Sequence, residues 1–245
     1  MTNPIRHHYI PQFFLKRWLN SEGILYVYMR GRTEPIELHK KGLINFCQES
    51  HLYSIPSIAP EDSEVIETKW FAPLDGDAAT IIEKFNRGIV KNLTSTERSN
   101  WFYFCSNLYY RSPKGMGDIT RKIHANHLSL GLKNKEEMAA LILPELVNLD
   151  ESGRFFINWN WFIEYTDEEL LIGDRLPIFN LSVTNQLFTY LAISPNKMFY
   201  ASLNDHQKFY DRNRRKYKKW IVQNAERFVF ANSRKNEEFI LKYLK

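Results

Sequence analysis

The spacing of apolar residues changes twice along this chain, and each change marks a different kind of element. Residues 24–30 alternate, with Leu25, Val27 and Met29 on one face, which predicts a half-buried strand after the turn Asn20-Ser21-Glu22-Gly23. A weaker strand over residues 35–39, reached through Arg30-Gly31-Arg32-Thr33, completes a hairpin. From Ser63 the period becomes helical. Leu74, Ala78, Ile81, Ile82 and Phe85 form a stripe that closes at Gly88, and Pro73 is expected to kink this helix or divide it from a preceding turn carrying Glu64 and Glu67. Thr94 and Glu97 have capping-box spacing for a helix whose buried stripe is Trp101, Phe102, Cys105, Leu108 and Tyr109, ending at Ser112-Pro113. Residues 119–149 predict two more helices parted at Gly131. Alternation then returns at Ile157, Trp159, Trp161, Ile163 and Tyr165. A turn over residues 166–169 leads to Leu170-Leu171-Ile172-Gly173-Asp174, and closing strands are expected over residues 188–193 and 197–201. A last helix aligns Lys208, Arg212, Arg215 and Lys219 on one face against Tyr217, Ile221, Ala225 and Phe228 on the other. The order predicts an α+β fold: a mixed or largely antiparallel sheet with a helical insertion in the middle of the chain. A doubly wound sheet is disfavoured because strands and helices do not alternate. The expected organisation is one domain over residues 1–245, with residues 63–149 a mainly helical subdomain.

Composition narrows the class. With 245 residues, 44% of them hydrophobic and 15% aromatic, the chain can bury a substantial core. The best apolar run, residues 138–143, stops at Pro144, far short of the ~20 residues a membrane helix needs. Gln12, Lys16 and Arg17 interrupt the apolar N-terminus and no small-residue cleavage site follows, so no secretory signal is expected here. A cytoplasmic protein without a membrane partner is expected. Cys47 and Cys105 are isolated in sequence, which fits a reducing compartment and argues against a zinc ribbon or a disulfide framework. The net charge of +5 is local: residues 205–219 hold seven basic and two acidic residues, leaving 26 of each sign elsewhere. One segment is cationic, not the whole surface.

Candidate chemistry begins with the stretch His7-His8-Tyr9-Ile10-Pro11-Gln12-Phe13-Phe14-Leu15-Lys16-Arg17-Trp18. Pro11 biases Ile10 to extended backbone, so an extended His-His-Tyr-Ile enters a short helix with the two imidazoles on opposite faces. His7 or His8 is a general base or metal ligand on one reading, and a hydrogen-bonded anchor on the other. Asp174 ends an apolar strand, where it either presents a catalytic carboxylate or stabilises a turn. Arg111, in a last helical turn, either holds a phosphate or carboxylate bidentately or caps helix carbonyls. His124 and His127 share helical spacing but lack an acidic third ligand. His51 reads as a surface or turn residue rather than a ligand.

The opening motif, together with Gly23-Ile24-Leu25-Tyr26-Val27-Tyr28, an acidic helix at Glu67, Arg111-Ser112-Pro113, Ile172-Gly173-Asp174 and Ile193-Ser194-Pro195, resembles the bacterial family known as domain of unknown function 4238. The resemblance implies an architecture and a residue list, with two acidic residues about a helical turn or two apart; Glu67 fits the first and Asp75 takes the place of the second. It names no reaction. The leading expectation is an enzyme acting on a phosphate-bearing substrate such as a nucleic acid, a metal-assisted phosphodiesterase. His7 or His8 and Asp174, with Glu67, would bind a divalent metal or activate water, and Arg111 would steady the phosphate. That expectation requires the imidazole pair and Asp174 to converge in one hollow. The alternative is a non-catalytic nucleic-acid or protein-binding module that uses Lys208, Arg212, Arg215 and Lys219.

Overall fold

The computed structural model describes residues 6–52, 66–127, 156–180, 188–202 and 207–245. The elements in chain order are β1 (Arg6–His8), α1 (Gln12–Leu15) running into a 3₁₀ turn (Lys16–Trp18), β2 (Ile24–Met29), β3 (Ile36–His39), a 3₁₀ stretch (Lys40–Asn45) and β4 (Gln48–Ser50). A π-helical turn (Ile66–Phe71) leads into α2 (Ala72–Asn86), followed by α3 (Ser95–Tyr110) and α4 (Pro113–His127). Then come β5 (Asn160–Tyr165), β6 (Ile172–Gly173), β7 (Ile178–Asn180), β8 (Phe188–Ser194), β9 (Lys197–Ser202), α5 (Gln207–Asn224), β10 (Phe228–Ala231) and α6 (Glu237–Tyr243). Every described strand pairing is antiparallel, and the middle of the chain is helical, which makes the fold α+β.

The chain divides into two compact units. The first comprises residues 1–10, 47–81 and 94–157. In it β1 and β4 form a two-stranded ribbon with His7 opposite Glu49 and His8 opposite Gln48. The capping box is present: the Thr94 hydroxyl accepts from the Glu97 amide, and the Glu97 carboxylate accepts from the Thr94 amide. Trp101, Phe102, Phe104, Cys105 and Leu108 are buried on α3, with Trp101 stacked on Phe104 and Phe102 against Phe156. Tyr109, expected in this stripe, is exposed. Pro113 does more than end α3. It opens α4 at the first helical position, where its missing N–H costs nothing. The tight corner requires Gly115, because a Cβ there would collide with the carbonyls of Tyr109 and Tyr110. The expected helix break at Gly131, and Glu64, lie outside the described residues, as do the side chains of His124 and His127.

The second unit comprises residues 11–46, 82–93 and 158–245. It holds two four-stranded sheets, ordered β3-β2-β10-β6 and β5-β9-β8-β7. The predicted hairpin is β2 with β3, and Leu25 and Val27 are fully buried while Met29 is partly exposed. Leu191 to Ile193 and Met198 to Ala201 fill the core, where Phe199 meets both Phe85 and Trp161. α5 packs along its apolar side. The Tyr217 hydroxyl accepts from the Ala192 amide of β8, and Ile221 and Ala225 pack closely over Gly173 of β6, where a Cβ would sit 3.3 Å from each. Phe228, expected on the apolar side of that helix, instead begins β10, whose four residues are all buried. Among the described residues no helix is long and apolar enough to cross a membrane.

Candidate functional site

Of the residues singled out in the sequence, His7, His8, Glu67, Asp75 and Arg111 fall in the first unit, and Asp174 and α5 fall in the second. Strand alternation on β1 separates the imidazoles as expected: His7 is fully buried with Tyr9, and His8 is half-buried. Pairing with β4 holds this short strand in register, and the Tyr9 amide donates to the Cys47 carbonyl at 2.9 Å.

Arg111 is the point where distant parts of the first unit meet. Its Nε donates to the Tyr9 carbonyl at 3.1 Å and its Nη1 to the Asp75 carboxylate at 3.1 Å. The guanidinium lies 5.2 Å from the Phe71 ring centroid and 6.0 Å from that of Phe104. The Arg111 side chain is only 2% exposed, whereas that of Asp75 is 24% exposed. Arg111 therefore faces inward and fixes Asp75, the member of the pair that solvent reaches. Burial pushes the Asp75 carboxyl up from its ordinary value, against the opposing pull of Arg111. Glu67 sits half-buried on the π-helical turn that supplies Phe71. π-Helical turns recur at functional sites. Among the described residues no three His, Cys, Asp or Glu side chains are grouped to hold a metal ion.

Asp174 is tied to backbone. Its carboxylate accepts from the amides of Glu226, Arg227 and Phe228 at 2.6, 2.6 and 3.0 Å, and its own amide donates to the Phe228 carbonyl. It closes the β6–β10 pairing at the residue where β10 begins. Burial pushes its carboxyl up, and the three amides oppose that shift.

Glu169 is a further anchor of the second unit. Its carboxylate collects the amides of Asn232 and Ser233, the Ser233 hydroxyl and the Asn236 side-chain amide, all more than 60 residues away. It lines a polar cleft of about 600 Å³ together with Arg17, Ser194, Lys197, Ser233 and Lys235. No local signal announces it, because every partner is remote in sequence.

On α5 the side chains of Lys208, Arg212 and Arg215 lie outside the described set. Lys216 and Lys219 are exposed, whereas Lys218 is held by the Asn236 side chain at 3.0 Å and by Glu168 at 3.6 Å.

Neither a curated protein nor a solved structure matches this chain. The family model described as "Protein of unknown function (DUF4238)" matches residues 6–235, nearly the whole length, and the chain belongs to that family.

Proposed function

We propose that the protein binds nucleic acid through the phosphate backbone, with the cationic helix α5 as its contact surface. The observation that carries this reading is the location of the charge. The whole net +5 lies in residues 205–219, and α5 is an 18-residue helix covering nearly all of them, with Lys216 and Lys219 exposed. A helix with one cationic face neutralises several phosphates without reading sequence, and its affinity falls steeply with salt. The buried thiols of Cys47 and Cys105, neither of them in a disulfide, support a reducing, cytoplasmic setting. The test is a salt titration of duplex binding by the wild type and by a variant with Lys208, Arg212, Arg215 and Lys219 changed to Gln. The slope of log K against log salt should drop by about 3.6, at about 0.9 for each phosphate no longer neutralised. An unchanged slope and affinity would remove the reading.

A second reading, phosphodiester cleavage, is favoured by the Arg111 node. Arg111 ties the residue after His8 to Asp75 in one unit, which leaves a half-buried imidazole and a solvent-reached carboxylate on a braced scaffold. His8 would act as general base and Asp75 would orient it or hold a divalent cation, with Glu67 and His7 of the same unit as further candidates. Here Arg111 is a positioning residue. Cleavage of a labelled oligonucleotide with added magnesium or manganese, abolished in His8→Ala and in Asp75→Asn, would establish it. Full cleavage by both variants would end it.

A further inference from the structure

We infer that the surface shared by α5 and α6 takes a single-stranded polynucleotide, with Tyr243 as a stacking platform for a base and Lys219 and Lys242 reaching its phosphates. This rests on the backbone-binding reading and adds the strandedness of the ligand. Phe239 and Tyr243 are four residues apart on α6, so their side chains share a face, with ring centroids 4.9 Å apart. Both are partly exposed. The Lys219 ammonium lies 5.0 Å from the Tyr243 centroid, and the Lys242 ammonium lies 5.5 Å from the same centroid. One aromatic ring is thus attended by two exposed cations from two different helices. Neither cation has a carboxylate within ion-pair distance among the described residues, whereas their neighbour Lys218 pairs with Glu168.

The combination decides the ligand. A duplex offers phosphates but hides its base faces, so it would use the lysines and leave Tyr243 idle. A single strand presents base faces and phosphates in alternation, which matches a ring flanked by ammonium groups. At an exposed site a lysine–ring interaction is weak and reversible, and a base has the stronger claim on the ring face. The lysines then swing to the phosphates on either side of that base. The competing account is that the lysines merely fasten α5 to α6.

The two accounts separate by anisotropy titration of the full-length protein with labelled oligothymidine and with a duplex of equal length at low salt. Tyr243→Leu keeps apolar packing against Phe239 but cannot stack. It should weaken oligothymidine binding about tenfold and leave duplex binding alone, while Tyr243→Phe should bind both as the wild type does. The double variant Lys219→Gln, Lys242→Gln changes only surface charge, and its salt slope on oligothymidine should fall by about 1.4, at about 0.7 for each phosphate. The inference is overturned if Tyr243→Leu binds oligothymidine as the wild type does, or loses single strand and duplex alike. If the wild type holds duplex and not oligothymidine, the strandedness falls and the backbone reading stands. If it holds neither, both fall.

Discussion

Arg111 donates to the Asp75 carboxylate at 3.1 Å from a guanidinium that is almost wholly enclosed, and the same group holds the carbonyl of Tyr9, 102 residues back along the chain. A charge this deep is tolerated because Nε finds a carbonyl, Nη1 finds an anion, and the guanidinium lies beside two aromatic rings. Removing it strands a carboxylate that burial already disfavours. Arg111→Met should lower stability by about 3 kcal/mol. Arg111→Lys should recover only part, since an ammonium cannot reproduce the planar fork. Urea unfolding followed by tryptophan fluorescence reads both, and a cost for Arg111→Met under about 1 kcal/mol would mean that the node does not brace the first unit.

Asp174 gives an architectural counterpart in the second unit. In Asp174→Asn one oxygen becomes an NH₂ group facing backbone amides that need acceptors. The expected loss is about 2 kcal/mol, from unsatisfied buried donors. Oligonucleotide binding at a temperature where the variant is folded should be unchanged. Wild-type stability combined with lost binding or cleavage would instead assign Asp174 a chemical role.

These two residues show what a linear reading conveys. Local chemistry was legible. The β2–β3 hairpin followed from alternation between turn signals, the capping box from Thr94 and Glu97, and the α2 stripe from its period, with Gly88 at a φ of +75° after the helix end. β10 was not, because Phe-Val-Phe-Ala is a short run buried on both faces and carries no period to distinguish it from helix. The site residues were legible as types only. Nothing adjacent to Asp174 indicates that its partners are Glu226, Arg227 and Phe228, and nothing near Arg111 indicates Tyr9. Pro113 reads as a terminator in the sequence, yet proline is equally at home at the first position of the helix that follows.

The capping box offers a small, clean measurement. Thr94→Ala removes the acceptor for the Glu97 amide at the start of α3, an exposed position where no packing is given up. The expected cost is about 1 kcal/mol, with Thr94→Ser close to wild type. A chemical denaturation midpoint shift checks it, and an equal cost for Ser and Ala would point to the missing methyl rather than the cap.

Tyr28 supplies the pH dependence. It is 1% exposed, and its hydroxyl donates to Glu237 of α6 at 3.2 Å. Burial pushes its ionisation well above the ordinary phenol value, and the Glu237 charge adds to the shift. The folded protein therefore keeps a proton that the unfolded chain releases near pH 10. The contribution is complete below that pH and is lost as pH rises towards the folded value. In that window stability should fall by about 1.4 kcal/mol per pH unit on account of this group. Tyr28→Phe, with no hydroxyl to titrate, should cost about 1 kcal/mol at neutral pH and show a shallower alkaline decline. Unfolding free energies measured at several alkaline pH values for the two proteins decide it. Parallel declines would mean that Tyr28 ionises as freely in the folded state as in the unfolded chain, and that its bond to Glu237 does not hold α6 to β2.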